Sequence, residues 1–265
     1  MKVRIAVIQF KIAHQNPPEN QKRIERFIAR AAYKKADVVV FPEDCIMGSI
    51  FGDLSKIDTT GAVRTFFIEM ARKYQIDIVT GTRMERHPEG DLSMSHYINA
   101  KGEILGSYAK NHLYPSERTF LKPGTEVPVF QTAFGKAAIV ICWDMLFPEI
   151  FERIKKQGAE IIYCPSYWSR EIPHAMPKRD KLSEERLLDA LCITRAMETN
   201  TVLVYTNAAG VQKYKDGSVD TLIGHSQVVM PVLGTMKRVN HYRETMFVQE
   251  VDTDLLAHSA KIYHM

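Results

Sequence analysis

The chain has 265 residues, 45% of them hydrophobic and 25% charged, which is enough for one large unit with a sizeable core. Its 35 lysines and arginines against 31 aspartates and glutamates leave a formal charge of +4, with no dense basic run among aromatics, so nucleic acid is not an expected partner. No apolar run approaches membrane-spanning length, and the N-terminus enters a strand pattern without the shape of a signal peptide, so neither a membrane nor secretion is expected.

Residues 3–10 read as a first strand, with Ile5, Val7 and Phe10 facing a core. Asn16-Pro17-Pro18 reads as a loop. Residues 19–34 follow as a helix, with Ile24, Phe27, Ile28 and Ala31 at helical spacing. Residues 36–41 form a short apolar strand ended by Pro42, which leaves Glu43 and Asp44 at the strand end. A glycine-containing loop, a helix over 60–74 and a strand over 76–81 complete an alternating pattern. The pattern then changes. Residues 96–100 and 103–109 predict a hairpin around Lys101-Gly102, with Lys110 at its end, and 127–130 predict a further strand. Residues 137–141 are an apolar strand bounded by Gly135. They lead to Cys142 and then to a helix opening at Phe147-Pro148-Glu149 and running to 157. A strand over 160–164, a helix over 182–197, and strands over 201–206, 226–231, 233–237 and 245–251 finish the chain. Helix-crossed and hairpin-paired strands together predict mixed sheets with helices on their outer faces, and the lack of repeats or linkers predicts one domain over 1–265.

Cys142 reads two ways. Where a strand gives way to a helix, a side chain leaves the core and meets the partly positive helix end, which favours a thiolate nucleophile. A small buried hydrophobe at a strand end fits the same position, since free cysteine is among the most buried residue types. Glu43 and Lys110 also follow apolar strands, and strand ends of one sheet system converge. A carboxylate as general base, an ammonium to stabilise negative charge and a thiol together make a coherent site. Cys45, Cys142, Cys164 and Cys192 form no CxxC pair, which predicts reduced thiols in a cytoplasmic protein and no metal site.

Three segments carry a resemblance to the nitrilase superfamily, the carbon–nitrogen hydrolases. Val38-Val39-Val40-Phe41-Pro42-Glu43 resembles the family's glutamate motif. The stretch from Tyr108 through Lys110 to Glu117 resembles its lysine motif, including a second glutamate seven positions after the lysine. Val140-Ile141-Cys142-Trp143-Asp144-Met145-Leu146-Phe147-Pro148-Glu149 resembles its cysteine motif. Cys164-Pro165-Ser166-Tyr167-Trp168 is similar to the family's pocket-lining segment, and weaker matches lie at 195–200 and 224–231.

The resemblance implies an α/β four-layer α-β-β-α sandwich with mixed sheets, a homodimer or larger homo-oligomer, and no cofactor or metal. It implies that Glu43, Lys110 and Cys142 are catalytic. Glu117 would orient Lys110 and substrate or share in proton handling, and the Trp143 backbone N–H would help hold the oxyanion. Trp143, Tyr167 and Trp168 are the candidate aromatic walls for substrate, and the loop over 47–53 is a candidate cover. His112, beside Lys110, reads as structural because a glutamate already stands in the base position. Cys45 lies close enough to Glu43 to border the pocket, while Cys164 and Cys192 read as packing.

The expected activity is hydrolysis of a small amide, aliphatic or the ω-amide of a carboxylic acid, through a Cys142 thioester. An N-carbamoyl amine hydrolase comes next and a nitrilase third. An acyltransferase and a non-catalytic binding protein stay open. The charged stretch over 169–186, with Arg170, His174 and Lys178, fits an acidic substrate, a solvated edge or an oligomer contact equally well.

Overall fold

A computed structural model of the chain describes residues 1–171, 180, 182–214 and 217–263. The first half holds β1 (Lys2–Gln9), α1 (Pro17–Tyr33), β2 (Val38–Val40), α2 (Ala62–Tyr74), β3 (Asp77–Val79), β4 (Arg83–His87), β5 (Gly90–Ile98) and β6 (Ile104–Ala109). The second holds β7 (Val129–Thr132), β8 (Gly135–Ile139), α3 (Pro148–Lys156), β9 (Ile161–Ser166), α4 (Ser183–Thr199) and β10 (Val202–Asn207). It continues with β11 (Ala209–Lys213), β12 (Val219–Ile223), β13 (Gln227–Met230), β14 (Gly234–Arg238), β15 (Thr245–Asp252) and α5 (Leu255–Tyr263).

Two mixed sheets form. One has the order β15-β1-β2-β3-β5-β4, with β6 also pairing β5, and the other β14-β13-β10-β9-β8-β7. At the centre of each lie three parallel strands, β1-β2-β3 in one and β8-β9-β10 in the other. Antiparallel strands flank them.

The side-chain alternation of β1 explains the layering. Val3, Ile5 and Val7 join the core shared with the second sheet, while Ala6, Ile8 and Phe10 join the core under α1 and α2. Phe10 therefore lies on the face opposite Ile5 and Val7. On the far side of the second sheet, Ile150, Phe151 and Ile154 of α3 and Leu188, Cys192 and Ala196 of α4 are buried. The result is the expected helix–sheet–sheet–helix sandwich. The two sheets are tied where Thr206 Oγ1 donates to Ile8 O at 2.8 Å, and the β11–β12 ribbon is tied to the first where Ala209 N–H donates to Phe10 O at 2.8 Å.

Several local expectations change. Pro17 and Pro18 are not a loop but the first turn of α1, with Asn16 accepting from Glu19 N–H at 3.3 Å as its cap. Proline fits there because its missing N–H is an orphan at a helix start anyway. Residues 83–98 form an additional hairpin, 209–213 pair with 219–223 in a separate two-stranded ribbon and 255–263 form an additional helix, none of them anticipated. Among the described residues, no helix is long and apolar enough to cross a membrane.

Candidate active site

Strands running in parallel deliver their next residues to one end of a sheet. Glu43 follows β2, Cys142 follows β8, Tyr167 follows β9, and Lys110 follows β6. These four, with Glu117, line one cavity of about 280 Å³.

Glu43 stands on a turn backed by Gly81, whose φ is +72°. A Cβ at residue 81 would sit 2.2 Å from the Pro42 carbonyl oxygen, so glycine lets this chain segment close against the back of the glutamate. Lys110 is fixed by main-chain bonds on both sides. Its N–H donates to Ser93 O at 2.9 Å, and Gly124 N–H donates to its carbonyl at 2.8 Å. Glu117 belongs to a tight turn in which Tyr114 N–H donates to Glu117 Oε2 at 2.7 Å.

Cys142 opens a short 3₁₀ turn, Cys142–Leu146, with φ +46°, a left-handed conformation unusual for any residue but glycine. The positive helix end beside the thiol is therefore that of this turn and not of α3, which begins at Pro148. Buried Asp144 holds the turn in place. It accepts from Ile141 N–H at 2.9 Å, Tyr108 O–H at 2.8 Å and His112 N–H at 2.8 Å. Arg195 anchors the same turn from α4, donating to Met145 O from Nε and Nη2 at 3.0 and 2.9 Å. His112 stacks on Phe147 with ring centroids 3.7 Å apart, a packing role that matches its structural reading.

The polar centre is closely knit. Lys110 Nζ donates to Glu43 Oε1 at 2.8 Å and lies 2.8 Å from Glu117 Oε2. Tyr167 N–H donates to Glu43 Oε2 at 2.8 Å. The Glu43 carboxyl and the Tyr167 N–H both act on the Cys142 thiol, the first raising its affinity for a proton and the second lowering it. Burial raises the affinity of Glu43 for a proton, opposed by Lys110 and reinforced by Glu117. For Lys110, burial acts the other way, yet the Glu117 and Glu43 carboxylates outweigh it and hold the ammonium charged well beyond the ordinary lysine range. Burial and then the Glu43 charge push the Cys142 thiol well up, against Lys110. Burial and the Glu43 charge thus oppose the thiolate that the helix end alone favours.

The trio and Glu117 come together as expected, and Trp143 and Tyr167 line the cavity. The Trp143 N–H lies in the first turn of the 3₁₀ segment, where N–H groups have no intrahelical acceptor. Trp168 does not reach the cavity. It is fully buried, its indole N–H donates to Glu184 Oε2 at 2.7 Å, and it backs Trp143 with ring centroids 5.4 Å apart. Cys45 is likewise sealed off. Its Sγ donates to Thr80 O at 3.4 Å, and burial pushes its thiol up. Cys164 and Cys192 are buried packing groups, the former pushed up to about 12 by burial. The 47–53 loop contributes Ser49 and Phe51 to the wall. Arg170 is paired with Glu185, Nε to Oε1 at 3.1 Å, while His174 and Lys178 lie outside the described residues. Sequence reasoning missed Tyr214, Ser218, Val219 and Asp220, which reach the cavity from the β11–β12 ribbon. Among the described residues, no group of three or more His, Cys, Asp or Glu is arranged to hold a metal ion.

Comparison with known proteins agrees with this fold. The chain is 27% identical over 235 residues to 2-oxoglutaramate amidase of Bacillus subtilis (strain 168), covering 87% of this chain and 84% of that protein. It is 26% identical to N-carbamoylputrescine amidase of Oryza sativa subsp. japonica, over 96% of this chain and 87% of the relative. The fold superposes on a crystal structure of a carbon–nitrogen hydrolase from Helicobacter pylori G27 with a TM-score of 0.90, at 20% identity, over 99% of this chain and 93% of that one. The carbon–nitrogen hydrolase family profile matches residues 4–261, nearly the full length. The chain therefore belongs to the carbon–nitrogen hydrolases of the nitrilase superfamily, and is an enzyme that cleaves C–N bonds with a cysteine nucleophile.

Proposed function

We propose that Cys142 is that nucleophile and that the protein is an amidase, converting a small amide to ammonia and a carboxylic acid. The observation that carries the reading is the buried cluster of Glu43, Lys110 and Glu117 around one thiol on the cavity wall. Glu43 takes the thiol proton as sulfur attacks the amide carbonyl carbon. The C=O electron pair moves to oxygen, and this oxyanion is met by the Lys110 ammonium and the Trp143 N–H. A preorganised donor of this kind is worth about 3 kcal/mol in the transition state. Glu43 returns the proton to the departing nitrogen, the C–N bond breaks, ammonia leaves and a thioester remains on Cys142. Water then attacks the thioester, Glu43 accepts its proton, and collapse of the second tetrahedral intermediate breaks the C–S bond. The thiolate takes back the proton from Glu43. Glu117, bonded to the same ammonium, is a positioning residue for Lys110.

An N-carbamoyl amine is the second reading, supported by the relative named N-carbamoylputrescine amidase, since its ureido carbonyl would meet the same groups. Assembly as a dimer or larger is supported by the exposed Leu187 and Ile193 of α4. A cytoplasmic location is supported by four free cysteines.

Intact-protein mass spectrometry and ammonia release test the function, with wild type set against Cys142→Ala on amides, N-carbamoyl amines and nitriles. We expect a covalent adduct and turnover in wild type alone. Turnover that survives Cys142→Ala would sink the assignment.

A further inference from the structure

We propose that the cavity selects an amide whose far end carries a positive charge, with Asp220 as its counter-ion. This rests on the reading of Cys142 as the nucleophile.

The charge of the cavity wall is one-sided. Among the described residues that line it, Glu43, Glu117 and Asp220 are acidic, Asp44 is a further carboxyl that burial holds towards its neutral form, and Lys110 is the one cation. Lys110 is held between Glu43 and Glu117, so among these side chains no second cation remains to pair with a substrate anion. A carboxylate at the far end of a substrate would meet Asp220 with like charge and be disfavoured. An ammonium there would be paired.

Asp220 is set at the opposite end from the chemistry by a relay of tyrosines. Tyr167 N–H holds Glu43, while the Tyr167 hydroxyl lies 3.0 Å from that of Tyr214. The Tyr214 hydroxyl in turn donates to Asp220 Oδ2 at 2.7 Å. The bonded path from Glu43 to Asp220 thus runs along a whole tyrosine and a second hydroxyl, and a short aliphatic chain is the spacer that matches it. Beside the carboxylate, Phe51 packs edge-on against Tyr214 with ring centroids 4.7 Å apart, and both line the cavity. Aromatic faces attract cations and repel anions, so the rings and the carboxylate favour the same ligand. The ω-amide of a carboxylic acid, one of the expectations from sequence, is the substrate this end fits worst.

Three amides of matched length make the test: δ-aminovaleramide, hexanamide and adipamate, which end in ammonium, methyl and carboxylate. Wild-type kcat/KM is expected to rank them in that order, with the ammonium amide favoured over hexanamide by about tenfold or more. Asp220→Asn is expected to bring the ammonium-to-methyl ratio close to one, and Asp220→Glu to retain most of it. Tyr214→Phe, which removes the hydroxyl that orients Asp220, serves if the first variant fails to fold and is expected to lower the ratio. Hexanamide or adipamate matching δ-aminovaleramide in wild type, or a ratio unchanged in folded Asp220→Asn, would overturn the proposal. Calorimetric binding of the three amides to Cys142→Ala separates recognition from chemistry. If the ammonium amide binds best there but wild type turns over none of the three, the cation site stands and the amidase reading falls. Turnover without discrimination keeps the amidase and removes the cation site.

Discussion

The two ends of the cavity are built differently. At the reacting end, Glu43, Lys110 and Cys142 lie within three residues of the ends of β2, β6 and β8, the Lys110 main chain is bonded on both sides, and all three residues are buried. At the far end, Phe51 sits in a loop, and Tyr214 and Asp220 belong to a two-stranded ribbon outside both main sheets. Residues anchored to strands of the two main sheets are held in place by the sheets. Residues on a loop and a ribbon tolerate change, so one scaffold accepts different substrates. The comparison predicts that changes at the first end act on kcat and stability, and that changes at the second act on substrate choice.

The largest effect is expected from Glu43→Gln, which keeps the shape and removes the proposed base. It should lower kcat by about a thousandfold or more, measured as ammonia release. The pH profile sharpens the assignment. The base must be ionised, and burial raises Glu43 above its ordinary value of 4.5, so kcat/KM should climb with pH through an apparent value above 4.5. That value belongs to the coupled set of Glu43, Lys110 and Glu117. A rise centred at or below 4.5 would break the assignment, and the residual activity of Glu43→Gln should lack this limb.

Lys110→Met comes next and acts on folding as well as rate. Removing one partner of a buried ionic cluster costs about 3–5 kcal/mol, because it leaves carboxylate charge without its counter-ion. The sign with pH follows from Glu43. Without the ammonium its folded-state affinity for a proton rises further above the unfolded value. The protonated carboxyl is tolerated at low pH, and stability is lost as pH rises through the folded value. Thermal unfolding of Lys110→Met should therefore lie closest to wild type at acid pH and fall away towards neutrality. A deficit that does not change with pH would contradict this account of the cluster.

How far the sequence revealed the site follows the same division. Apolar runs such as Val38-Val39-Val40 mark buried strands, and chemistry-bearing residues placed directly after them could be recognised. The family motifs then joined Glu117 to the set. The β11–β12 ribbon escaped because its buried apolar residues, Ala209, Leu222 and Ile223, gather at one end while Val211, Lys213 and Val219 are exposed, so no regular alternation marks it. The prolines of α1 were misread because proline breaks helices everywhere except at their start. The influences on the Cys142 thiol were legible only in part. A helix start is visible in sequence, but the Glu43 carboxyl that opposes ionisation reaches Cys142 only through the fold.

Asp144→Asn should have an intermediate effect. Asp144 accepts two N–H groups and one O–H around the Cys142 turn, and an amide replaces one acceptor oxygen with a donor that faces donors. Each buried group left unpaired costs about 1–3 kcal/mol, so a lower melting temperature is expected together with a lower kcat. Unchanged kcat in the folded variant would show that the turn holds its shape without the carboxylate.

The smallest expected effect separates the two tryptophans that sequence treated alike. Trp143 faces the cavity, edge-on to Tyr114 at 5.0 Å between centroids, and Trp168 packs behind it. Trp143→Phe should alter KM for a bulky amide more than it alters stability, since it removes wall area from an open face. Trp168→Phe removes an indole N–H that donates to buried Glu184, so it should cost about 1–3 kcal/mol in thermal unfolding. Its effect on KM should be slight, because no atom of Trp168 lines the cavity. Steady-state kinetics and a melting curve on both variants make a crossed comparison. If Trp168→Phe moved KM while leaving stability intact, the second tryptophan would belong to the substrate wall after all, and the boundary between wall and core would have to be drawn one layer deeper.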